Sequence, residues 1–191
     1  KTRFEVYRVY QDLFQPAIEV IQQELWHNLK YLGPLRSEPQ REYVVGKLLH
    51  RDDIGKSGEN AVVLLYQNWD ESIDFVTLPT DRNQVVSWQE LSAKKMTVGE
   101  AINESLRWLG MQELEIVEVE KVPGLLIQAT FPTSAVKTTW VTIADIGFGV
   151  SQILPVLTMG LLAEPGSILM FEQPELHLHP RAQAKLAELL V

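Results

Sequence analysis

Residues 167–180 read SILMFEQPELHLHP, and this stretch decides the predicted fold of the chain. Its four apolar residues, 168–171, form a run that is typical of a short strand buried on both faces of a sheet. Five polar or charged side chains follow within eight positions: Glu172, Gln173, Glu175, His177 and His179. In open α/β sheets, ligands bind outside the carboxyl ends of the strands. The stretch therefore predicts a buried strand that presents an acid at a ligand-binding edge.

The sequence on either side predicts an α/β unit. Upstream, the glycine-containing turn DIGFGVSQ at residues 145–152 leads into an apolar helix expected over residues 152–163. Downstream, Pro180 opens a second helix, as prolines often do at the first helical position. Helix, strand, loop and helix in this order are typical of an α/β domain.

The remainder of the chain is predicted to be partly helical and partly rich in strands. We expect a helix over 4–29, a strand and turn over 29–36, a loop over 37–60, helices over 60–69 and 71–78, one or two helices over 88–109, and two or three antiparallel strands over 114–142. Thr97 and Glu100 have the spacing of a capping box, and Gly110 is a suitable helix stop. The predicted division is a helical segment (1–30), an inserted helical and β-rich region (31–143) and a C-terminal lobe (144–191).

Composition narrows the possible functions. The chain has 191 residues, a formal net charge of −8 and no cysteine. The absence of cysteine excludes disulfides, Cys-based zinc sites and a Cys nucleophile, and it favours a reducing, cytoplasmic location. The negative charge argues against general binding to a phosphate backbone. No apolar run approaches the roughly 20 residues needed to span a bilayer, so no membrane partner is expected. Because the chain starts with Lys1 and ends within a helical pattern, we expect it to be part of a longer protein.

The motif at 167–180 resembles the Walker B segment of ABC-type ATPases, and it is most similar to the OLD-like branch of the AAA-labelled group. The stretch DIGFGVSQILP at 145–155 lies at the position of the ABC signature loop and its helix. YLGPLR at 31–36 and GENA at 58–61 also look like stretches from such ATPases. The resemblance implies an α/β, ABC-type P-loop NTPase-like partial domain with a helical and antiparallel β-rich insertion. It also implies ATP and Mg²⁺ as cofactors and a second ATPase head, in a homodimer, as partner.

The resemblance assigns roles to individual residues. Glu172 would be the acid associated with Mg²⁺, and Gln173 would stand at the hydrolytic position. The residues expected to contact the phosphates of ATP bound to the other head are Gly147, Gly149, Ser151 and Gln152, where glycine backbone and a helix N-terminus suit an anion. A plain turn between strand and helix would also use glycine and a serine cap.

Two departures from the family pattern matter. Signature loops usually have Ser where this chain has Gly147, and Ser151 comes later. The second departure is Gln173, since this position is usually an acid that polarises the attacking water. Glutamine can orient a water molecule, but it cannot take a proton from it. Either hydrolysis is slow, or Glu175 or His177 contributes to catalysis, or the head works as an ATP-gated interaction module without hydrolysis.

Other interpretations of the polar residues are weaker. His177 and His179 could hold a metal in a metal-dependent hydrolase, but a site needs more ligands, and the other histidines are His27 and His50. The sequence GKS at 55–57 lacks the earlier glycine of a P-loop, because position 50 is a histidine. We recognise no Walker A loop in the chain, and the strand with the switch histidine would follow Val191.

The biological role is expected only by analogy with the family. Related ATPases act on DNA or in bacterial defence, so a nucleic-acid or nuclease partner is expected for the parent protein. The basic residues of the 37–60 region and its borders are Arg36, Arg41, Lys47, Arg51 and Lys56. Acids are interspersed among them, which favours a solvated face over a nucleic-acid site.

Overall fold

The computed structural model describes residues 14–46, 48–76, 92–119, 125–132, 140–146 and 148–190. Within these ranges the helices are α1 (Gln15–Asn28), α2 (Ala61–Asn68), α3 (Val98–Leu109), α4 (Phe148–Leu162) and α5 (Pro180–Leu190). The strands are β1 (Leu29–Leu32), β2 (Tyr43–Val45), β3 (Ser72–Val76), β4 (Ala93–Thr97), β5 (Glu115–Val119), β6 (Leu125–Pro132), β7 (Trp140–Thr142) and β8 (Ile168–Phe171). The first part of the predicted N-terminal helix, residues 4–13, lies outside the described residues.

The strands form three small sheets. β1 and β8 pair in parallel, with Leu29 opposite Ile168 and Leu32 opposite Phe171. β2, β6 and β5 form an antiparallel sheet in that order, and β7 also pairs with β6. The antiparallel strands expected over 114–142 are therefore confirmed within the described residues, as is the strand at 168–171. The chain is a mixed α/β structure.

The third sheet shows that parts of two helix predictions were wrong. Residues 71–78 were expected to be helical, but Ser72–Val76 form β3, which pairs antiparallel with β4, with Ser72 opposite Thr97 and Val76 opposite Ala93. Residues 77 and 78 lie outside the described residues. Of the stretch 88–109, where one or two helices were expected, residues 88–91 lie outside the described residues, Ala93–Thr97 form β4, and α3 begins at Val98. Along β3, burial alternates: Phe75 is buried, while Ser72 and Val76 on the other face are exposed. This two-residue alternation is typical of a strand. Residues 72–76 form a strand rather than a helix because they pair with β4, which follows later in the chain.

Helix α3 begins and ends where the sequence predicts. The Thr97 side chain accepts a hydrogen bond from the Glu100 N–H at 3.1 Å, and the Glu100 carboxylate accepts one from the Thr97 N–H at 2.8 Å. Gly110 then ends the helix in a left-handed conformation with φ 81°. The capping box is therefore confirmed, and it satisfies two of the backbone N–H groups that a helix start leaves unpaired.

Removing the side-chain cap should lower stability. We expect Thr97→Ala to reduce the free energy of unfolding by about 1 kcal/mol, because the Glu100 N–H loses its acceptor. Thr97→Ser keeps the hydroxyl and should stay within a few tenths of a kcal/mol of the wild type. Urea unfolding followed by circular dichroism measures both variants. Equal losses in the two variants would show that the hydroxyl cap does not stabilise α3.

Helix α4 forms the centre of the core. Ile153, Leu154, Val156 and Leu157 are each at most 4% exposed. The helix packs against α2 and α3, so apolar side chains surround it on nearly all sides. A helix that is apolar all round is expected to be buried in this way. The predicted apolar helix is thus confirmed, although it begins at Phe148 rather than at residue 152.

Strand β8 is not buried on both faces in this chain. Leu169 and Phe171 pack against the core, but Ile168 is 43% exposed and Met170 is 48% exposed. Tyr31, opposite Met170, is 38% exposed on the same side. The prediction of two buried faces was therefore wrong, because helix α4 covers one face and nothing within the described residues covers the other.

Helices α3 and α5 are joined by reciprocal hydrogen bonds. The indole N–H of Trp108 donates to the Lys185 carbonyl oxygen at 3.2 Å, and the Lys185 ammonium donates to the Trp108 carbonyl oxygen. The ammonium also lies 5.1 Å from the centroid of the Trp108 ring, within the range of a cation–π interaction. These contacts attach the helix after the 167–180 motif to the helical region before it.

None of the helices in the described part of the chain has the length and apolar character needed to cross a membrane.

Candidate nucleotide-binding site

Parallel pairing brings the carboxyl ends of β1 and β8 to one edge. The N–H of Glu172 donates to the carbonyl oxygen of Leu32 at 3.0 Å, which extends the pairing one residue beyond β8. Glu172 is exposed there, at the position that the sequence predicts for a ligand-binding acid. Its neighbours come from residues 31–36, so this stretch contributes directly to the site.

Two side chains from the β1 region hold Glu172. The Tyr31 hydroxyl donates to Oε1 of Glu172 at 2.7 Å, and Nη2 of Arg36 donates to the Glu172 carbonyl oxygen at 3.1 Å. The hydrogen bond to the Glu172 carboxylate raises the pKa of Tyr31, with a smaller contribution from burial. Tyr31 therefore remains a neutral donor. Burial lowers the pKa of Arg36, while Tyr31 and Glu172 act in the opposite direction.

The loop after Glu172 has an unusual backbone. Gln173 has φ 47° and His177 has φ 63°, which are left-handed values that non-glycine residues rarely adopt. Two turns support the loop: the N–H of Leu176 donates to the Gln173 carbonyl oxygen, and the N–H of Leu178 donates to the Glu175 carbonyl oxygen, each at 3.1 Å. Backbone strain of this kind persists where surrounding contacts enforce it, and it is common at functional sites.

The loop presents its polar side chains to solvent. Gln173, Glu175 and His177 are exposed, whereas Leu178 is 6% exposed and anchors the loop in the core. The structure thus places the predicted catalytic side chains on one accessible surface segment, directly after Glu172. Their roles in catalysis stay predictions.

His179 has a structural contact. Its Nδ1 accepts a hydrogen bond from the Arg181 N–H at 3.3 Å, and its carbonyl oxygen accepts from Ala182 at 2.7 Å. His179 therefore caps the start of α5, before the predicted Pro180. Among the residues that the structure describes, no group of three or more His, Cys, Asp and Glu side chains is placed to hold a metal ion. His50 instead lies beside Asp52, with Nδ1 3.5 Å from Oδ2.

The glycine turn contacts the 172–179 loop. Gly147 lies outside the described residues, but Gly149 is in the first turn of α4. A Cβ at Gly149 would lie 3.7 Å from the His177 carbonyl oxygen and 3.8 Å from Cδ2 of Leu178. The two sequence motifs therefore meet in space at this point.

The predicted phosphate-contacting residues differ in accessibility. Ser151 is 6% exposed and lines a cavity of about 20 Å³ together with Tyr43 and Gly58. Gly149 and Gln152 are half-buried, and both lie within α4 rather than before it. Of the three predicted phosphate-contacting residues that the structure describes, Gly149 and Gln152 thus reach solvent, whereas Ser151 is buried.

The 55–57 loop is shaped by an acid. The carboxylate of Glu59 accepts hydrogen bonds from the Ser57 N–H at 3.0 Å and from the Ser57 hydroxyl at 2.7 Å. The Lys56 carbonyl oxygen accepts from the Gly33 N–H at 2.8 Å. A carboxylate thus occupies the donors that a bound phosphate would need in this loop.

Sequence reasoning did not assign Tyr31 and Arg36 to the site. The only indication in the sequence was the stretch YLGPLR at 31–36, in which a strand and a turn are followed by a basic residue. Only parallel pairing with β8 shows that this cation lies beside Glu172.

An acid at the carboxyl end of a parallel strand pair, beside a glycine-containing helix start, is consistent with a P-loop NTPase-like α/β domain. The chain belongs to the family described as "AAA domain, putative AbiEii toxin, Type IV TA system", whose model matches residues 36–191. It is thus an AAA-type, ABC-like ATPase domain, a class that binds nucleotide. No curated protein and no solved structure matches the chain significantly.

Proposed function

We propose that the chain is the C-terminal part of an OLD-like, ABC-type ATPase head that binds ATP and Mg²⁺ between two heads. Nucleotide binding then drives dimerisation of the heads, and Glu172 belongs to a Walker B segment. The observation that carries this proposal is the position of Glu172, exposed at the carboxyl end of the parallel β1–β8 pair and held there by Tyr31. The proposed parts of the chain are a helical segment (1–30), an inserted helical and β-rich region (31–143) and a C-terminal ATPase lobe (144–191).

The residues around Glu172 fit Mg²⁺. Magnesium takes oxygen ligands, keeps several waters and is often bound by one or two carboxylates together with substrate phosphates. Tyr31 occupies Oε1 of Glu172, which leaves Oε2 for the cation or a water of its shell. When bound, Mg²⁺ would neutralise charge on the phosphates. The contribution of the chain is a fixed carboxylate whose orientation a tyrosine determines.

Gln173 is proposed to orient the attacking water. Its exposed amide stands next to Glu172, at the position that an acid occupies in the usual arrangement of such ATPases. Because an amide cannot accept the proton of the water, we propose slow hydrolysis in the intact protein. Glu175 and His177, exposed on the same loop, are the alternative bases.

The proposed partner of the head is a second copy. Gly149, in the first turn of α4, and the side chain of Gln152 would approach the ATP bound to that copy, where the free N–H groups of a helix start suit phosphate oxygens. A cytoplasmic location, together with a nucleic-acid or nuclease partner in DNA processing or defence, completes the proposal.

Titration calorimetry of the full-length protein with ATP and Mg²⁺ tests the proposed function. We expect Glu172→Gln to weaken Mg²⁺-dependent ATP binding roughly tenfold, as the loss of one charged hydrogen-bonding contact does. Glu164→Gln, which changes an exposed acid before β8, is the matched control and should bind like the wild type. The same titration on the 191-residue chain should show no binding, because we recognise no Walker A loop in it. Absence of binding by the full-length protein would refute the ATPase proposal.

A second candidate function is a nucleotide-gated module without hydrolysis, and Gln173 is the observation that favours it. Steady-state phosphate release by the full-length protein separates the two functions, since the module should bind ATP without turnover. The metal-dependent hydrolase alternative is weakened because Nδ1 of His179 accepts the Arg181 N–H.

A further inference from the structure

We propose that Arg36 is a positioning residue that fixes the peptide bond between Glu172 and Gln173. Its hydrogen bond to the Glu172 carbonyl oxygen holds Gln173 in the left-handed conformation, so that the acid and the amide face the same site. What the loop does in catalysis rests on the proposed function, whereas the structural role of Arg36 can be tested without it.

Glu172 is held at three points. Its N–H donates to the Leu32 carbonyl oxygen at 3.0 Å. Its carboxylate accepts from the Tyr31 hydroxyl at 2.7 Å, and its carbonyl oxygen accepts from Nη2 of Arg36 at 3.1 Å. The contact from Arg36 is the one that acts on the following peptide unit. Rotation of this unit changes ψ of Glu172 and φ of Gln173 together.

The φ of 47° at Gln173 requires such support. A glutamine in this region has unfavourable contacts between Cβ and its own backbone, so it returns to a negative φ unless neighbouring contacts prevent it. The carbonyl oxygen of Gln173 accepts the Leu176 N–H on the far side. Arg36 supplies the support on the near side, and the two contacts together define the turn.

The remaining donors of Arg36 indicate a role other than stability. Its Nε and Nη1 atoms are buried and have no hydrogen-bond partner in the described residues. Burying unpartnered donors of a cation is unfavourable for folding. Folding stability alone would favour an apolar side chain at this position, so we attribute the arginine to the geometry of the Glu172–Gln173 peptide.

Hydrogen exchange of the nucleotide-free, full-length protein tests the positioning role directly. We expect Arg36→Met to raise the exchange rate of amides in residues 173–178 about tenfold, as loss of one local hydrogen bond permits opening of the turn. Exchange in β1 and β8 should stay unchanged. Arg36→Lys keeps one donor and should restore part of the protection. Arg107→Met, which changes an exposed arginine on α3, is the control and should leave residues 173–178 unaffected.

Kinetics of the same variants provide the second readout. We expect Arg36→Met to lower kcat for ATP hydrolysis about tenfold with little change in KM, because an interaction that orients the reacting groups is lost rather than a binding contact. Unchanged exchange over 173–178, or a rise that spreads through β1 and β8, would overturn the positioning role. If the full-length protein does not bind ATP but the local exchange effect is present, the proposed function fails and the positioning role stands.

Discussion

The Gln173→Glu substitution is expected to raise kcat for ATP hydrolysis by the full-length protein about 100-fold, the lower end of what a positioned general base contributes. A carboxylate can accept the proton of the attacking water, which the amide cannot. The two side chains have nearly the same size and neither is β-branched, so the left-handed backbone at position 173 tolerates both equally. Phosphate release at saturating ATP and Mg²⁺ measures the change.

The matched control for this gain is Gln40→Glu, which adds the same charge at an exposed glutamine outside the 172–179 loop. It should leave kcat unchanged. If Gln173→Glu also leaves kcat unchanged in a protein that already hydrolyses ATP rapidly, hydrolysis does not depend on an acid at position 173 and another residue supplies the base. Glu175→Gln and His177→Asn would then identify which neighbour supplies it.

The Gly58→Ala substitution is expected to cause the largest loss of stability. Gly58 has φ 74°, and a Cβ there would lie 2.4 Å from Cβ of Pro155 in the core helix α4. A left-handed conformation costs an alanine about 1–2 kcal/mol, and overpacking against a rigid ring adds about 1–3 kcal/mol. We therefore expect the free energy of unfolding to fall by about 3 kcal/mol. Thermal unfolding should show a Tm lower by about 6–12 °C.

Gly110→Ala separates the two contributions to this loss. Gly110 has a similar φ of 81°, but nothing lies within 4 Å of the position that its Cβ would take. Only the backbone cost applies, so we expect a loss of about 1–2 kcal/mol. Equal losses at both positions would mean that Pro155 does not restrict position 58.

The features that were predictable from the sequence depend on short-range interactions. The capping box joins Thr97 to a residue three positions later, and Pro180 opens α5 by its own fixed φ. The apolar run at 168–171 was long enough to predict a strand that ends in Glu172. In each case the residues that decide the structure are neighbours in the chain.

The features that were missed depend on partners far away in the chain. Residues 71–78 contain apolar side chains that fit a short helix, and only the pairing of β3 with β4 makes Ser72–Val76 a strand. Tyr31 and Arg36 lie 141 and 136 positions from Glu172, respectively. No local pattern shows that they meet, since the meeting follows from parallel pairing of β1 with β8. The exposed face of β8 was missed because an apolar run does not show whether one face or two will be covered.

The contact between Trp108 and Lys185 has a mechanical consequence. One end of the segment 173–179 continues from β8, which is attached to β1, and the other end enters α5, which is attached to α3. Strands and helices are stiff, so a displacement of α3 relative to β1 is expected to change the backbone angles of this segment as well as the packing of α4 against α3 and β8. Those angles include the left-handed ones of Gln173 and His177. Movement of α3 is therefore expected to change the backbone angles of the residues that follow Glu172.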